Sequence, residues 1–169
     1  VNVKDYPIKN DFSSPKTFTI GWIGSVSTAP NLEIVIPAIL ELSNVIKVKL
    51  IVIGGLSMAI EADNIEYCNV TWSLEKQQEL LKEFDVGIAP LYDTPFNRGK
   101  CAYKIIQYMA TGIPVIASPV GVQTDIINRY QNGFLADSKK DWVDAFIKLS
   151  YSAELQKQMG SRGRVAAEK

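Results

Sequence analysis

The sequence RGKCAYKIIQYMATGIPVIAS, which runs from Arg98 to Ser118, predicts a loop, a helix, a tight turn and a strand in succession. The helix is expected over about residues 100–110, because Gly112 and Pro114 are typical of the residues that follow a helix end. Residues 115–117 are all apolar, which predicts a short strand buried on both faces of a sheet. Such strands belong to parallel sheets covered by helices, so this stretch points to an α/β protein.

Lys100, Lys104 and Gln107 form a polar stripe on the expected helix, since their spacing of four and then three residues puts them on one face. The stripe lies near the helix N-terminus, where the helix dipole disfavours cations. Two ammonium groups at that end become favourable with a bound anion such as a phosphate or a diphosphate. A lysine face exposed to solvent explains the same residues equally well and stays open as an alternative.

Strand and helix patterns alternate on both sides of this stretch. Strands are expected at 18–23, 48–53, 69–72, 85–89, 115–117 and 133–135, with helices between and after them. This order predicts a doubly wound, mostly parallel, Rossmann-like α/β sheet with helices on both faces. An amphipathic helix is expected over residues 32–40, kinked or starting late at Pro37. Residues 1–16, with Pro7 and Pro15, are expected to form a lead-in to one domain at 17–169.

Composition excludes several classes of function. The chain has 169 residues, no net charge and no histidine, so we expect no nucleic-acid surface, no His-dependent triad and no metal site. Cys68 and Cys101 form no disulfide or zinc pattern, which fits a reducing cytoplasm. No apolar run has the length of a membrane span. Because the first residue is Val1 rather than methionine, we expect a piece of a longer chain.

The fingerprints G-x-G-x-x-G, G-x-x-x-x-G-K-[ST] and G-x-S-x-G are absent from the loops that would carry them. Five other pieces, in this order, resemble the C-terminal, donor-binding half of GT-B glycosyltransferases, and more closely family 4, glycosyltransferase group 1. They are WIGS at 22–25, DVGIAP at 85–90, the segment 98–118, Gly121, and NGFL at 132–135.

The resemblance implies a retaining transfer of a sugar from a nucleotide-sugar donor to a glycan or lipid-linked acceptor, with no metal cofactor. It implies that the acceptor site lies in an N-terminal domain absent from this chain, so the chain alone is not expected to transfer sugar. Contact with a membrane would be made through that missing part. The family implies a cytoplasmic location, at the inner membrane face.

The resemblance also implies roles for individual residues. Most members have two glutamates eight residues apart, and here Gly99 and Gln107 occupy those positions. Members also have an arginine and a lysine after the first strand, where this chain has Ser25 and small residues. Lys100 and Lys104 are therefore the expected counter-charges of the diphosphate and the expected catalytic residues. Gln107 is expected to accept a hydrogen bond from a ribose hydroxyl, or alternatively to be a helix residue without a ligand.

Other donor contacts are expected from residues near these motifs: Gly24, Ser25, Trp72, Ser73, Arg98, Gly99, Cys101, Ala102 and Tyr103. Trp72 would lie beside the base, although a place in the core is slightly favoured. Arg98 is equally compatible with a donor contact and with a solvated loop charge. A binding module that has lost catalysis, or half of a nucleotide-sugar epimerase, are the alternative functions.

Overall fold

The computed structural model describes residues 1–12, 17–55, 58, 60 and 62–169 of the chain. The described strands are β1 (Thr17–Ile23), β2 (Lys47–Ile53), β3 (Ile65–Val70), β4 (Val86–Ala89), β5 (Val115–Ala117) and β6 (Gly133–Leu135). The described α-helices are α1 (Ile36–Leu42), α2 (Leu74–Leu81), α3 (Pro95–Arg98), α4 (Tyr103–Thr111), α5 (Val122–Tyr130), α6 (Lys139–Ser150) and α7 (Ala153–Ala167). Two 3-10 helices, Val3–Asp5 and Val26–Ile34, complete the elements of the described residues.

The strands form one sheet in the order β3-β2-β1-β4-β5-β6, and every pairing is parallel. The predicted doubly wound α/β fold is therefore confirmed. The strand order reverses direction between β1 and β4, which makes their carboxyl ends the switch point where such sheets bind ligands. The expected bounds of β5 and β6 are confirmed, and those of β1, β2 and β4 hold within one residue.

Strand β3 begins four residues earlier and ends two residues earlier than predicted, at Ile65–Val70 instead of 69–72. It is the edge strand and pairs along its whole length with β2, from Ile65 opposite Val48 to Val70 opposite Ile53. Its side chains are half-buried or exposed, so its sequence mixes polar and apolar residues and has no clear strand pattern. The helix expected over 32–40 divides into a 3-10 helix and α1, which starts late, with Pro37 in its first turn.

Helix α4 begins at Tyr103, three residues later than predicted. Ala102 precedes it in the left-handed conformation, with φ 53° and ψ 36°, and an α-helix cannot pass through such a residue. Lys100 therefore lies in the loop before the helix, and the predicted polar stripe is reduced to Lys104 and Gln107.

The two faces of the sheet carry separate hydrophobic layers. Side chains alternate along β1, so Ile20 and Trp22 join the layer under α1 and α6, while Ile23 joins the layer under α2, α4 and α5. Gly21 faces Phe84 on the second side, and a Cβ at Gly21 would lie 2.0 Å from the Phe84 ring. Close packing thus leaves no space for a larger residue at that point of β1.

The hydroxyl of Tyr108 joins the two strands at the switch point. Strands β1 and β4 are in register at Ile20–Val86 and Gly21–Gly87, and one step further the Tyr108 hydroxyl lies between them. It accepts a hydrogen bond from the N–H of Ile23 (3.2 Å) and donates one to the carbonyl of Ile88 (3.1 Å). Burial raises the pKa of Tyr108, so the phenol stays protonated and able to donate.

The N-terminal residues pack on the domain rather than leading away from it. Tyr6 and Lys9 are buried, and Lys9 Nζ lies 3.1 Å from Oδ1 of the buried Asp85. The other Asp85 oxygen accepts the N–H of Thr19 at 2.8 Å, so this ion pair ties residues 1–12 to the start of β1. The polar, proline-containing sequence of residues 1–12 does not predict that Lys9 is buried and paired with a carboxylate 76 residues away. Residues 13–16 of the expected lead-in lie outside the described residues.

None of the helices in the described part of the chain combines the length and apolarity that crossing a membrane requires.

Tyr108→Phe is expected to lower the free energy of unfolding by about 1–3 kcal/mol, because the buried N–H of Ile23 and carbonyl of Ile88 lose their partner. Urea denaturation followed by circular dichroism measures this change. Tyr151→Phe is the matched control, since it removes the hydroxyl of a side chain that is 70% exposed. Equal stability of the two variants would contradict the bridging role of Tyr108.

Candidate functional site

A cavity of about 350 Å³ opens at the carboxyl end of β4, between the loop before α4 and the 3-10 helix after β1. We call it the cationic cavity, because Lys100 and Lys104 both contribute to its wall. It brings together six residues that the sequence predicted for one site, Gly99 to Lys104. The cationic cavity is lined by Thr28, Ala89, Pro90, Leu91, Gly99, Lys100, Cys101, Ala102, Tyr103, Lys104 and Gln123.

The two ammonium groups of this cavity are half-buried and rest on aromatic rings. Lys104 Nζ lies 5.3 Å from the centroid of the buried Trp22 ring, and Lys100 Nζ lies 5.2 Å from that of Phe96. Neither lysine pairs with a carboxylate among the described residues. Burial, and then the charge of Lys100, lower the pKa of Lys104 to about 8. Positive charge is therefore concentrated here without a counter-ion from the described chain.

The first turn of α4 adds backbone donors to the same place. The N–H groups of Tyr103 and Lys104 have no acceptor among the described residues, and no side chain caps the helix at Ala102. They lie at the positive end of the dipole of a nine-residue helix. Backbone N–H groups and two ammonium groups together can hold an anion with several oxygens.

A second cavity, of about 220 Å³, lies beside the first, and Tyr103 lines both. We call it the aromatic cavity. Trp72 is 51% exposed at its rim, so it is not a core residue, and its indole N–H donates to Oε1 of Gln77 at 2.8 Å. The aromatic cavity is lined by Ile23, Gly24, Trp72, Leu74, Gln77, Tyr103 and Gln107.

An open surface continues from the aromatic cavity past Gly24, Ser25 and Gly54. Gly54 has φ +77°, and a Cβ there would lie 2.3 Å from the carbonyl oxygen of Gly24, so the loops after β1 and β2 touch through their backbones. Gly24 and Ser25 thus lie where the sequence expected them, at the carboxyl end of β1.

Arg98 and Ser73, by contrast, line none of these three surfaces. The Arg98 guanidinium is exposed and donates to both oxygens of Asp93, at 2.6 and 2.8 Å. These hydrogen bonds lower the pKa of the Asp93 carboxyl. Ser73 accepts the N–H of Lys76 and so caps α2. The solvated-loop interpretation of Arg98 fits this geometry, and its expected donor contact stays a prediction.

Sequence reasoning missed the buried amides that hold the loops around the cationic cavity. Gln123 Nε2 donates to the carbonyls of Ala89 and Ser118, and Asn31 accepts the N–H of Tyr92. Each amide bridges loops that are distant in sequence. The only sequence signals were an Asn in a small-residue loop and a Gln after Gly121, and neither is specific.

Comparisons with known proteins give a consistent family and fold. Residues 17–151 match the model of the family described as Glycosyl transferases group 1. The GDP-Man:Man(3)GlcNAc(2)-PP-Dol alpha-1,2-mannosyltransferase of Dictyostelium discoideum is 24% identical over 132 residues, which cover 69% of this chain and 25% of that protein. The chain thus spans about a quarter of the length of this curated relative.

Solved structures share the fold across almost the whole chain. Sucrose-phosphate synthase from Thermosynechococcus elongatus superposes with a TM-score of 0.76 at 16% identity, over 99% of this chain and 46% of that one. Anabaena Alr3699/HepE, solved with UDP and glucose, gives 0.72 at 15% identity, over 99% of this chain and 50% of that one. The C-terminal domain of the glycosyl transferase group 1 family protein LpcC from Francisella tularensis gives 0.72 at 16% identity, over 98% and 95%.

Lys104→Met is expected to stabilise the protein at pH 7 and to lose this advantage at high pH. The pKa of Lys104 is about 8 in the folded protein against 10.5 normally, so between these values the unfolded chain binds more protons and the wild type gains stability as pH rises. The difference in free energy of unfolding between Lys104→Met and the wild type should narrow by about 1–3 kcal/mol between pH 7 and pH 10.5.

Urea denaturation of both proteins across this pH range measures the difference. Lys148→Met, on the exposed side of α6, is the control and should show no such narrowing. A pH-independent difference for Lys104→Met would contradict the burial of a charged amine at this position.

Proposed function

The chain belongs to the glycosyl transferases group 1 family, and on this premise we propose that it is the nucleotide-sugar-binding domain of a retaining glycosyltransferase. The observation that carries the proposal is the pair Lys100 and Lys104, which are half-buried beside the sheet's switch point, before and in the first turn of α4, and have no carboxylate partner among the described residues. A diphosphate is the ligand that such a site fits, because it brings the charge and the oxygen acceptors that the site lacks.

In this proposal the cationic cavity holds the diphosphate of the donor. When the bond between the sugar and the diphosphate breaks, negative charge grows on the departing phosphate oxygen. Lys100, Lys104 and the N–H groups of Tyr103 and Lys104 would stabilise that charge. Because they are fixed by the fold before the reaction, they stabilise the leaving group without reorganisation.

The aromatic cavity is the proposed site of the nucleoside. Trp72 offers an exposed ring face beside the backbone of Gly24, which suits a base. Gln107, at the base of the same cavity, is the proposed partner of a ribose hydroxyl. Since Tyr103 lines both cavities, one ligand can extend from the aromatic cavity into the cationic one.

The acceptor is proposed to bind to an additional, N-terminal domain, since this chain spans about a quarter of its Dictyostelium relative. The name of that relative describes a lipid-linked oligosaccharide acceptor, and a glycan or lipid-linked acceptor is accordingly proposed here. Any contact with a membrane would be made by that additional part. The free thiols of Cys68 and Cys101 fit the proposed cytoplasmic location. A place at the inner membrane face is proposed from the family alone.

Lys100→Ala and Lys104→Ala are each expected to weaken binding of UDP or GDP by about ten- to a hundredfold, because each removes a charge-assisted hydrogen bond to phosphate. Calorimetric titration of the chain measures these affinities. Uridine and guanosine, which have no phosphate, should bind the variants and the wild type alike.

Lys157→Ala, a change at an exposed lysine of α7, is the matched control and should bind the diphosphates like the wild type. Unchanged affinity in both cavity variants would overturn the proposed diphosphate site. A folded wild-type chain that binds neither UDP nor GDP would instead favour a binding module without donor affinity.

Donor binding is expected without a divalent cation, because two ammonium groups supply the counter-charge that Mg²⁺ supplies in other nucleotide sites. Among the described residues, no group of three or more Cys, Asp or Glu side chains is arranged to hold a metal. Titration with UDP in excess EDTA and in Mg²⁺ should give affinities within about twofold. Binding that occurs in Mg²⁺ alone would contradict this part of the proposal.

A further inference from the structure

We propose that Tyr6, in the N-terminal segment, is a positioning residue that holds Gln107 with its amide oxygen toward the aromatic cavity. This inference rests on the proposed function and deepens it, because it assigns to residues outside the sheet edge a role in recognising the ribose of the donor. The two residues are 101 positions apart in the sequence, and the fold brings them into direct contact.

The contact is a buried hydrogen bond. Gln107 Nε2 donates to the hydroxyl oxygen of Tyr6 at 3.1 Å, and the two side chains are 4% and 6% exposed. Gln107 nevertheless lines the aromatic cavity, whereas Tyr6 does not. Tyr6 also interacts with the side chain of Tyr103, which lines both cavities.

The hydrogen bond fixes which end of the amide remains for a ligand. Tyr6 occupies the donor end, while Oε1 of Gln107 accepts no hydrogen bond from the described residues and is not among their fully buried unpartnered atoms. Burial raises the pKa of Tyr6, so its hydroxyl stays neutral at physiological pH. Gln107 therefore presents an acceptor to the cavity, and the complementary ligand groups are hydroxyl donors such as those of a ribose.

Tyr6 is held in place independently of Gln107. Arg164, on α7, donates to the backbone carbonyls of Tyr6 (3.1 Å) and Val3 (3.3 Å), and Lys9 is anchored by its buried ion pair with Asp85. The position of Tyr6 is thus set by how residues 1–12 pack on the domain. Through this one hydrogen bond, the packing of the N-terminal segment controls the orientation of a residue in the donor site.

The test compares two ligands that differ only in the ribose hydroxyls. Wild type, Tyr6→Phe and Gln107→Ala are titrated calorimetrically with UDP and with 2′,3′-dideoxyuridine diphosphate, or with the guanosine pair if GDP binds more tightly. Tyr6→Phe is expected to weaken binding of the ribonucleotide by about five- to thirtyfold and that of the dideoxynucleotide by less than about twofold. Gln107→Ala should give the same pattern, and the double variant should bind no more weakly than Gln107→Ala alone.

Tyr151→Phe is the control for loss of a phenolic hydroxyl, and near-UV circular dichroism verifies that each variant is folded. Equal weakening of both ligands by Tyr6→Phe would overturn the inference, since a residue that only supports the structure would affect both alike. Equal binding of the two ligands by the wild type would overturn it as well, while leaving nucleotide binding intact. No binding of either nucleotide by the folded wild type would overturn the proposed function, and this inference with it.

Discussion

The hydroxyl of Tyr108, hydrogen-bonded to the backbones of β1 and β4, is the constraint that the sheet edge depends on. Parallel strands that separate at a switch point leave backbone groups without partners, and buried ones are costly. Tyr108 satisfies one group on each strand, so the strands can diverge and open a crevice. Gly87 makes room for the ring, since a Cβ there would lie 2.5 Å from it. Lys104 is one turn earlier on the same helix, so it lies on the same face of α4 as Tyr108, toward the crevice.

Several features of this edge are unfavourable within the chain itself. Ala102 adopts a left-handed conformation that costs an L-residue about 1 kcal/mol. Lys104 is charged with a pKa lowered to about 8, and it lies at the helix end where the dipole repels it. The first N–H groups of α4 have no acceptor among the described residues. An anion in the cationic cavity would compensate the charges and the free donors together, which is why these features support a common function.

Local sequence patterns predicted the sheet and the place of Lys100 and Lys104 beside its carboxyl edge, but not that Lys100 lies in the loop before α4, nor the contacts between distant segments. Strands such as β5 and β6 are predicted by short apolar runs, and the loops at the carboxyl ends of the strands by small residues. Both features depend on neighbouring residues in the sequence. The start of α4 depends on Ala102, whose left-handed turn no propensity predicts. The contacts of Tyr6 with Gln107, and of Lys9 with Asp85, join segments 101 and 76 residues apart. The role of Arg98 could not be predicted from the sequence, because nothing in the loop sequence shows that its guanidinium pairs with Asp93.

Under the proposed function, the presence of Gly99 and Gln107, where the resemblance leads one to expect glutamates, fits the same charges. A carboxylate at position 107 would lie one turn from Lys104, and one at 99 would adjoin Lys100, so each could neutralise a cation that the proposed diphosphate would need. A carboxylate at 107 would also be almost fully buried, where an unpaired charge is costly. A neutral amide avoids both effects, donates to Tyr6 and keeps an acceptor for the cavity. Ser25 and its neighbours supply no cation at the end of β1. Cations at the start of α4 and in the loop before it, with no carboxylate at 99 or 107, are therefore mutually consistent features of the proposed site.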